Sequence, residues 1–545
     1  MVGIAETCCV VTAFESSEKH VGEQSDYSKV HKQFSCSGVI LNESHGLVLC
    51  SGHLFSRFLI RKDVLSTDFQ FLLRGSFSDT LTIYVQHDYT THPSNAITCR
   101  GRTTNPEQNR LKLTHLKAEF IVLINCLEFQ TAFLELFKVS DNWRFSLGEE
   151  HADLIKDSDF LSYFALLRVP GLVKSAGKDT VHWVSSCALE KGCEVFACGS
   201  PFGSVCPDLF MNTLSKGIVS NVVGKDNAVI LTDSHCLPGT EGGGLFVKEG
   251  DAAFLVGLIV SPFCWKSREW VGLTLVCSFH LILQNLAQAV NHRQSLNKLS
   301  IEVPVDVNQA LLHKGLCAII QNFPMVCLVD SNQFWGSGVL LNSQLVLTCR
   351  HVLNGKSRVV VRYKTSKRLL SVMGDVLFAT KVTAPFDVAI VWLQEPLPDI
   401  IVPKLASSFK PGKSVCIIGY GVFGHSCGHS VTSGILSKVV TCQSQAAMLQ
   451  TTCAVQAGAS GGALVQTDTG ELLGLVCSNT RDFAADVTYP HLNFCIPMSV
   501  LAPLLQAFSV THDPTIFQKL DDAGPEVARV WRLQIRPQRH QTSRL

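Results

Sequence analysis

Two parts of the sequence carry the same motifs in the same order, which limits the fold to an architecture that can be built twice in one chain. Residues 33–42 match residues 333–342, and in both places an aliphatic run follows and then a histidine at the same spacing, His53 or His351. Internal similarity of this kind indicates repeated structural units. We therefore predict a tandem duplication.

The later motifs of the two copies also match. Residues 199–203, a glycine block, are similar to residues 419–424, and the turn at 239–245 is similar to the turn at 458–464. Each turn is followed by an apolar strand that contains a glycine. The order of motifs is therefore the same from the beginning to the end of each copy.

Short aliphatic and β-branched runs, separated by Gly, Pro, Asn and Ser, dominate both copies. Helical periodicity is weak before Val500, whereas residues 501–508 and 516–530 have partly helical patterns. Such a pattern favours antiparallel barrels over a parallel α/β sheet. The predicted fold class is all-β, with two tandem modules and a short helical C-terminal end. The predicted parts are a first module at 1–291 with an exposed loop around 86–108, a linker at 292–309, a second module at 310–510 and a C-terminal tail at 511–545.

The composition is that of a globular protein with reduced cysteines. The chain has 545 residues, 46% of them hydrophobic, and a formal net charge of +1, which gives no long-range field to attract nucleic acid or a membrane surface. Its most apolar stretch, residues 252–260, is shorter than the roughly 20 residues that span a bilayer. The first six residues lack the basic start of a secretory signal. The 22 cysteines are mostly scattered singly through the sequence, and we expect them to be reduced. We expect neither a metal nor a cofactor.

The second copy contains every group that acyl transfer by a serine enzyme requires. Such enzymes pair a seryl hydroxyl with a histidine base, orient the base with a carboxylate and direct backbone N–H groups at the oxyanion. Ser460 lies in a glycine-rich turn, His351 begins a short predicted helix, and Asp387 lies where a loop enters an apolar strand. Each motif alone has a structural explanation, as a flexible turn, a strand-end histidine or a turn former. Their combination predicts a catalytic triad, with the N–H groups of Gly458 and Ser460 as the oxyanion hole.

The motifs at residues 347–352, 386–389 and 458–464 resemble the trypsin-like superfamily, specifically its HtrA/Deg branch. This resemblance implies that each module is a chymotrypsin-like double β-barrel and that the second is a serine endopeptidase. It also implies that Ala454, six residues before Ser460, forms the floor of the S1 pocket. Because an acidic floor is needed to pair with arginine or lysine, we expect cleavage after small or weakly polar residues, cysteine among them.

The first copy departs from this pattern. Its histidine, His53, is retained, but Glu241 replaces the nucleophile and Tyr163 occupies the place of the aspartate, with Asp157 and Asp159 nearby. A carboxylate cannot be activated as a seryl hydroxyl is. We predict a non-catalytic trypsin-like domain that serves as a scaffold or holds a substrate or partner.

The last three residues, Ser543, Arg544 and Leu545, fit the small-basic-leucine pattern of the peroxisomal targeting signal. We therefore expect recognition by a peroxisomal import receptor and a location in the peroxisomal matrix. A protease with reduced thiols and no export signal is compatible with that compartment.

Taken with the tail, the duplicated protease domain is similar to peroxisomal processing proteases. This resemblance implies that peroxisomal precursor proteins are the substrates, through removal of N-terminal targeting leaders and internal cleavage of β-oxidation enzymes. It also implies self-cleavage, for which Cys99 and Arg100 in the polar stretch are the candidate site. The chain could in addition form a homo-oligomer.

Two other functions compete with this one. A peroxisomal peptide-binding chaperone or adaptor would need both copies to bind extended peptides, with vestigial catalysis, but the second copy keeps every catalytic part. A secreted trypsin-like enzyme would need an export signal, an acidic residue in place of Ala454 and a disulfide cysteine where Val352 follows the histidine. Peptide hydrolysis by the second copy therefore remains the primary prediction.

Overall fold

The computed structural model separates the chain into two compact units. The first comprises Met1–Glu269 and Leu273–Ala318, and the second comprises Trp270–Gly272 and Ile319–Leu545. The predicted boundaries at 291 and 310 stay predictions. The structure describes residues 2–16, 33–60, 71–88, 113–138, 143–145, 160–172, 181–262, 264–266, 269–291, 325–364, 368–482 and 487–532.

The first unit consists mainly of short antiparallel strands, because its aliphatic runs are interrupted by turn residues every few positions. The strands up to residue 278 are β1 (Cys8–Glu15), β2 (Phe34–Asn42), β3 (Leu47–Ser51), β4 (Phe71–Leu73), β5 (Leu81–Asp88), β6 (Leu113–Asn125), β7 (Trp143–Arg144), β8 (Tyr163–Arg168), β9 (Glu194–Gly199), β10 (Thr213–Val223), β11 (Val229–Thr232), β12 (Gly244–Glu249), β13 (Ala252–Ser261), β14 (Trp265–Lys266), β15 (Glu269–Trp270) and β16 (Thr274–Ser278).

Most of these strands form two larger antiparallel sheets, while β15, β14 and β7 form a small third sheet. One of them has the order β4-β6-β5-β1-β2-β3-β8, and its last strand, β8, also pairs with its second strand, β6. The other is a closed barrel with the order β10-β11-β16-β13-β12-β9. Aromatic rings fill the first core, where Phe77 lies 4.7 Å from Phe120 and Phe120 lies 5.2 Å from Phe55. Aliphatic side chains such as Val195, Ile230 and Val256 fill the second core.

Two features of the first unit differ from the sequence-based expectation. The polar stretch beginning at Gln86 was predicted to be a loop, but Gln86–Asp88 continue β5 because β1 and β6 pair with it on both sides. Helices also form where little helical periodicity was recognised. These helices are α1 (Val2–Ala5), α2 (Leu127–Leu136), α3 (Pro207–Phe210) and α4 (Phe279–Asn291), with 3-10 turns at Gly52–Phe58, Arg74–Ser76, Ser186–Ala188 and Lys225–Asn227.

The second unit contains two closed six-stranded barrels, with orders β17-β18-β19-β22-β21-β20 and β23-β24-β25-β28-β27-β26. Their closure removes the exposed sheet edges that would otherwise pair with other chains. The strands are β17 (Val326–Asp330), β18 (Trp335–Leu340), β19 (Leu345–Thr348), β20 (Arg358–Lys364), β21 (Leu369–Ala379), β22 (Ala389–Leu393), β23 (Ser414–Gly419), β24 (Ser430–Cys442), β25 (Gln445–Thr451), β26 (Ala463–Gln466), β27 (Leu472–Asp482) and β28 (Val487–Pro497).

Helices complete the second unit at its C-terminal end, as the sequence predicts. They are short within the barrels and longer after them, so the all-β fold class with a helical end is confirmed. Within the described ranges, none of the helices is long and apolar enough to cross a membrane. The helices are α5 (Arg350–Leu353), α6 (Gly424–Cys427), α7 (Met498–Thr511) and α8 (Pro525–Trp531), with a 3-10 segment at Pro514–Leu520.

Candidate active site

The first barrel of the second unit brings His351 and Asp387 together. Strand β19 ends at Thr348, which pairs with Ala389 at the start of β22. His351 therefore lies just beyond the end of one strand and Asp387 just before the start of its neighbour. The Nδ1 atom of His351 is 2.5 Å from Oδ2 of Asp387, and the backbone N–H of His351 donates to Oδ1 at 3.1 Å.

The charge of Asp387 is stabilised although the residue is largely buried. Burial alone would raise the pKa of Asp387, but the hydrogen bond from His351 and the charges of His351 and Arg350 lower that pKa below its ordinary value. Arg350 Nε lies 3.6 Å from Oδ1. The histidine side chain is 45% exposed and the aspartate side chain 19%, so the carboxylate lies behind an imidazole that faces outward.

Ser460 lies in a tight turn between β25 and β26 of the second barrel. Gly458 and Gly461 have φ values of +90° and +84°, in the left-handed region that favours glycine. A Cβ atom on Gly461 would also lie 2.6 Å from Oγ1 of Thr348. The glycines therefore permit both the sharp reversal of the chain and its close approach to the strand that precedes His351.

One carbonyl oxygen connects the serine turn to the histidine helix. The N–H of Gly461 donates to the carbonyl of Val476 at 2.7 Å, and the thiol of Cys349 donates to the same oxygen at 3.3 Å. The residue after Ser460 and the residue two positions before His351 thus share one acceptor. The hydroxyl of Ser460 donates to the carbonyl of Cys477 at 3.3 Å, and among the hydrogen bonds of the described residues none joins Ser460 to His351.

The two predicted oxyanion-hole donors are available in this turn. Among the hydrogen bonds between described residues, neither the N–H of Gly458 nor that of Ser460 has an acceptor. The neighbouring N–H groups of Ala459 and Gly462 are instead used to close the turn, toward Gln456 and Ala459 respectively. Backbone amides beside a serine can stabilise a developing oxyanion, and that role stays a prediction for these two.

Ser337, on strand β18, holds this turn in place, and the sequence analysis did not assign it a role. Its Oγ donates to the carbonyl of Gly458 at 2.8 Å and accepts the N–H of Tyr420 at 2.7 Å. Its backbone N–H donates to the carbonyl of Ser460 at 2.8 Å. A signal was present in the sequence, because Ser337 and Ser37 occupy the same position in the matching motifs.

Ser37 makes the corresponding contacts in the first unit. Its Oγ donates to the carbonyl of Gly239 at 2.7 Å and accepts the N–H of Ser200 at 2.7 Å. Its backbone N–H donates to the carbonyl of Glu241 at 2.8 Å. Glu241 therefore lies on the same kind of turn that carries Ser460 in the second unit.

The side chain of Glu241 accepts a backbone amide of its own turn. Its Oε2 accepts the N–H of Gly239 at 2.7 Å. Burial raises the pKa of Glu241, while hydrogen bonds from its own N–H and from that of Gly239, together with the charge of His53, partly offset this effect. Both amides that correspond to those of Gly458 and Ser460 thus interact with a carboxylate of the same turn.

The strand register places Tyr163 where the second unit has its aspartate. Cys50 pairs with Ala165 in the first unit, as Thr348 pairs with Ala389 in the second. His53 follows Cys50 by three positions, and His351 follows Thr348 by three positions. Tyr163 precedes Ala165 by two positions, as Asp387 precedes Ala389.

Ala454, the predicted floor of the S1 pocket, is buried in the second barrel. Its carbonyl accepts the hydroxyl of Thr432 at 2.8 Å. Within the same unit, a Cβ atom on Gly272 would lie 3.3 Å from the Cβ of Ala454 and 2.9 Å from Cγ of Pro490. These contacts of Ala454 include a hydroxyl and two apolar neighbours, and none of them is a charged group.

Cys349, His351 and Asp387 each place one possible ligand atom within 4.8 Å of the others. A metal would require the thiolate form of the cysteine. Burial, together with the neighbouring Cys477, raises the pKa of Cys349 well above its ordinary value, and its thiol already donates to a carbonyl. The cluster is suited to hydrogen bonding rather than to metal coordination.

The remaining predicted site residues lie outside the described ranges. They are the candidate self-cleavage residues Cys99 and Arg100, the alternative acids Asp157 and Asp159, and the targeting residues Ser543, Arg544 and Leu545.

The paired barrels and the serine turn define a trypsin-like serine protease, and residues 336–475 match the trypsin-like peptidase domain family. The chain belongs to the family of peroxisomal leader peptide-processing proteases. It is 39% identical over 563 residues to the protein of that name from Homo sapiens, covering 96% of this chain and 95% of the relative. The protein from Mus musculus is 38% identical, with the same coverage of both chains. The protein is accordingly a peroxisomal serine protease.

The sequence relatives also show similarity to the HtrA/Deg branch. A probable periplasmic serine endoprotease, DegP-like, from Buchnera aphidicola is 30% identical over 269 residues, covering 46% of this chain and 53% of that protein. The solved structure of a serine endoprotease from Yersinia pestis is 24% identical, covers 36% of this chain and 66% of that one, and has a TM-score of 0.29.

Proposed function

We propose that Ser460, His351 and Asp387 form the catalytic triad of a peroxisomal serine endopeptidase. The hydrogen bond between Nδ1 of His351 and Oδ2 of Asp387 is the observation that carries the proposal. It fixes Nδ1 as the protonated nitrogen and leaves Nε2 as the base. Rotation of the Ser460 hydroxyl away from the carbonyl of Cys477 would then direct its proton to Nε2, a contact that commonly forms only when substrate is bound.

The reaction follows from this arrangement. Ser460 Oγ attacks the scissile carbonyl while His351 takes its proton, and the N–H groups of Gly458 and Ser460 stabilise the oxyanion. His351 then gives the proton to the leaving amine. Water next attacks the acyl-enzyme while His351 takes its proton, and His351 returns that proton to Ser460 Oγ as the ester bond breaks. Asp387 stays ionised, in agreement with its lowered pKa, and stabilises the imidazolium.

The first copy has no catalytic function in this proposal. Glu241 has no nucleophilic hydroxyl, and its carboxylate interacts with the amide of Gly239 that a substrate carbonyl would need. Tyr163, at the position equivalent to the aspartate, cannot hold His53 as a carboxylate does. The arrangement supports a scaffold more than a second peptide-binding cleft.

The substrates are proposed to be peroxisomal precursor proteins. The names of the human and mouse relatives describe leader peptide processing, and the uncharged side chain of Ala454 at the predicted pocket floor supports cleavage after small or weakly polar residues, including cysteine. Internal cleavage of β-oxidation enzymes, self-cleavage near Cys99 and Arg100, recognition of Ser543-Arg544-Leu545 by an import receptor and a homo-oligomeric state belong to the same proposal.

Labelling with a fluorophosphonate probe tests the catalytic assignment directly. We expect the probe to label the wild-type chain on Ser460 and to leave the Ser460→Ala variant unlabelled. Mapping of new N-termini in peroxisomal extract treated with each protein then identifies the substrates. An unlabelled wild-type chain that still binds extended peptides would instead indicate a chaperone or adaptor.

A further inference from the structure

The aspartate of the triad is carried by a loop whose ends are held together by Thr380 and Val388, next to the pairing of Ala379 with Ala389. The N–H of Thr380 donates to the carbonyl of Val388 at 3.0 Å, and the N–H of Val388 donates to Oγ1 of Thr380 at 3.2 Å. Asp387 lies immediately inside this closure. The direction of its carboxylate therefore depends on the conformation of residues 380–388.

The segment after α7 holds this loop at its first turn. The carboxylate of Asp521 accepts the backbone N–H of Lys381 at 2.8 Å, and the Nζ of Lys381 lies 3.9 Å from the other carboxylate oxygen. The carbonyl of Lys381 in turn accepts Nη1 of Arg350 at 2.6 Å, and Arg350 Nε lies 3.6 Å from Asp387. The backbone of Lys381 thus connects Asp521, through its N–H, to the cation beside the triad aspartate, through its carbonyl.

The same segment holds the loop at its other end. The ring of Trp531 packs against that of Phe386, the residue before Asp387, with centroids 5.9 Å apart and planes at 70°. The Nε1 of Trp531 donates to the carbonyl of Ala447 at 3.0 Å, which fixes the indole to strand β25. Phe386 is buried, so the contact determines the position of a side chain adjacent to the carboxylate.

A separate anchor holds the segment to the barrel without involving the loop. Phe517 is buried and its ring lies 5.7 Å from that of Phe378 on β21 and 5.3 Å from that of Phe508 on α7. The segment can therefore remain docked when its contacts with the loop are removed, which separates positioning from folding.

We propose that Asp521 and Trp531 position the triad aspartate, as positioning residues that act through Lys381 and Phe386. The proposal rests on the catalytic role proposed for Asp387. Two contacts at opposite ends of one loop restrict its rotation, and small displacements of catalytic groups reduce the rate strongly. A displaced Asp387 would leave substrate binding intact while it weakens the orientation of His351.

The test compares KM and kcat for peptide hydrolysis by four full-length variants with those of the wild type. Each kcat is expressed per active site, counted by titration with a fluorophosphonate. Asp521→Ala and Trp531→Leu are expected to lower kcat about tenfold to a hundredfold, with KM within about twofold of wild type. Asp521→Asn should keep most activity because an amide oxygen still accepts the N–H of Lys381. Asp513→Ala is the control, since Asp513 caps the same segment at Thr515 without contact to the loop.

The outcomes separate the two proposals. Wild-type kcat in Asp521→Ala and Trp531→Leu, or an equal loss in Asp513→Ala, would overturn the positioning role. If Asp521→Ala does not fold, the kcat of Trp531→Leu is compared with that of Trp531→Phe. Only phenylalanine keeps a ring against Phe386, so equal kcat values would overturn the positioning role. A wild-type chain without Ser460-dependent turnover, or an Asp387→Asn variant with full activity, would instead refute the proposed triad itself.

Discussion

The carboxylate of Glu241 accepts a hydrogen bond from the backbone N–H of Gly239 at 2.7 Å, in a turn that otherwise has the contacts of the serine turn. The equivalent amide in the second unit, the N–H of Gly458, has no acceptor among the hydrogen bonds between described residues. The same kind of turn thus leaves this amide without an acceptor in one unit and bonds it to an internal carboxylate in the other.

Replacement of this carboxylate should stabilise the first unit at neutral pH. Burial raises the pKa of Glu241 above its ordinary value of 4.5 despite the opposing hydrogen bonds. A group with a raised folded-state pKa contributes stability that is present below the unfolded-state pKa and lost as the pH rises through the folded-state pKa. Glu241→Gln avoids this loss, so its Tm should exceed that of wild type at pH 7, and the difference should shrink as the pH falls toward 4.5.

Thermal denaturation at several pH values measures this difference. Glu190→Gln is the matched control, because its side chain is exposed, and its Tm should follow that of wild type throughout. A Glu241→Gln variant that is less stable than wild type at pH 7 would show that the hydrogen bonds to the carboxylate outweigh its burial.

Loss of the Ser337 hydroxyl should affect both stability and turnover. The hydroxyl is buried and bonds the carbonyl of Gly458 and the N–H of Tyr420. Ser337→Ala leaves both groups unpaired, which costs about 1–3 kcal/mol, and it releases the turn that carries the oxyanion donors. We expect a lower free energy of unfolding in urea and a lower kcat.

Ser331→Ala provides the control for this prediction. Ser331 is also buried, but its hydroxyl bonds the carbonyl of Phe334 within its own hairpin. It should reduce stability without a change in kcat per titrated site. Equal kcat values for the two variants would show that Ser337 has no influence on the oxyanion donors.

The features that could be predicted from the sequence are those that local motifs determine. The barrels follow from short aliphatic runs and turn residues, and His351 lies at the end of a strand that can be recognised in the sequence. The helix α2 was missed although its buried residues Phe129, Phe133 and Leu136 have helical spacing, because they occur among aliphatic and aromatic residues that also suit strands.

Contacts between distant parts of the chain could not be predicted in this way. Ser337 and Gly458 are separated by 121 positions, and Lys381 and Asp521 by 140. Neither pair has a local pattern, since each depends on how the closed barrels and the C-terminal segment meet. The positioning of a catalytic group is therefore a tertiary property, whereas its residue type is recognisable in a motif.

An acidic residue at position 454 should change the preferred substrate. Ala454→Asp would place a carboxylate at the predicted pocket floor, where it can pair with an arginine side chain. We expect kcat/KM for an arginyl peptide to rise at least about tenfold relative to that for an alanyl peptide, equivalent to about 1.4 kcal/mol. Ala454→Asn is the neutral control, and an equal rise in that variant would show that the charge is not responsible.

Self-cleavage near Cys99 and Arg100 should depend on Ser460 and on the same pocket. Purified wild-type protein is expected to fragment after Cys99, which gives a new N-terminus at Arg100, whereas Ser460→Ala should remain intact until wild-type protein is added. Because Ala454 offers no partner for arginine, Cys99→Ala should still be cut and Cys99→Arg should not. In Ala454→Asp the cut should move by one residue, to give Gly101 as the new N-terminus. N-terminal sequencing of the fragments distinguishes these outcomes, and fragments that persist unchanged in pure Ser460→Ala protein would refute self-cleavage.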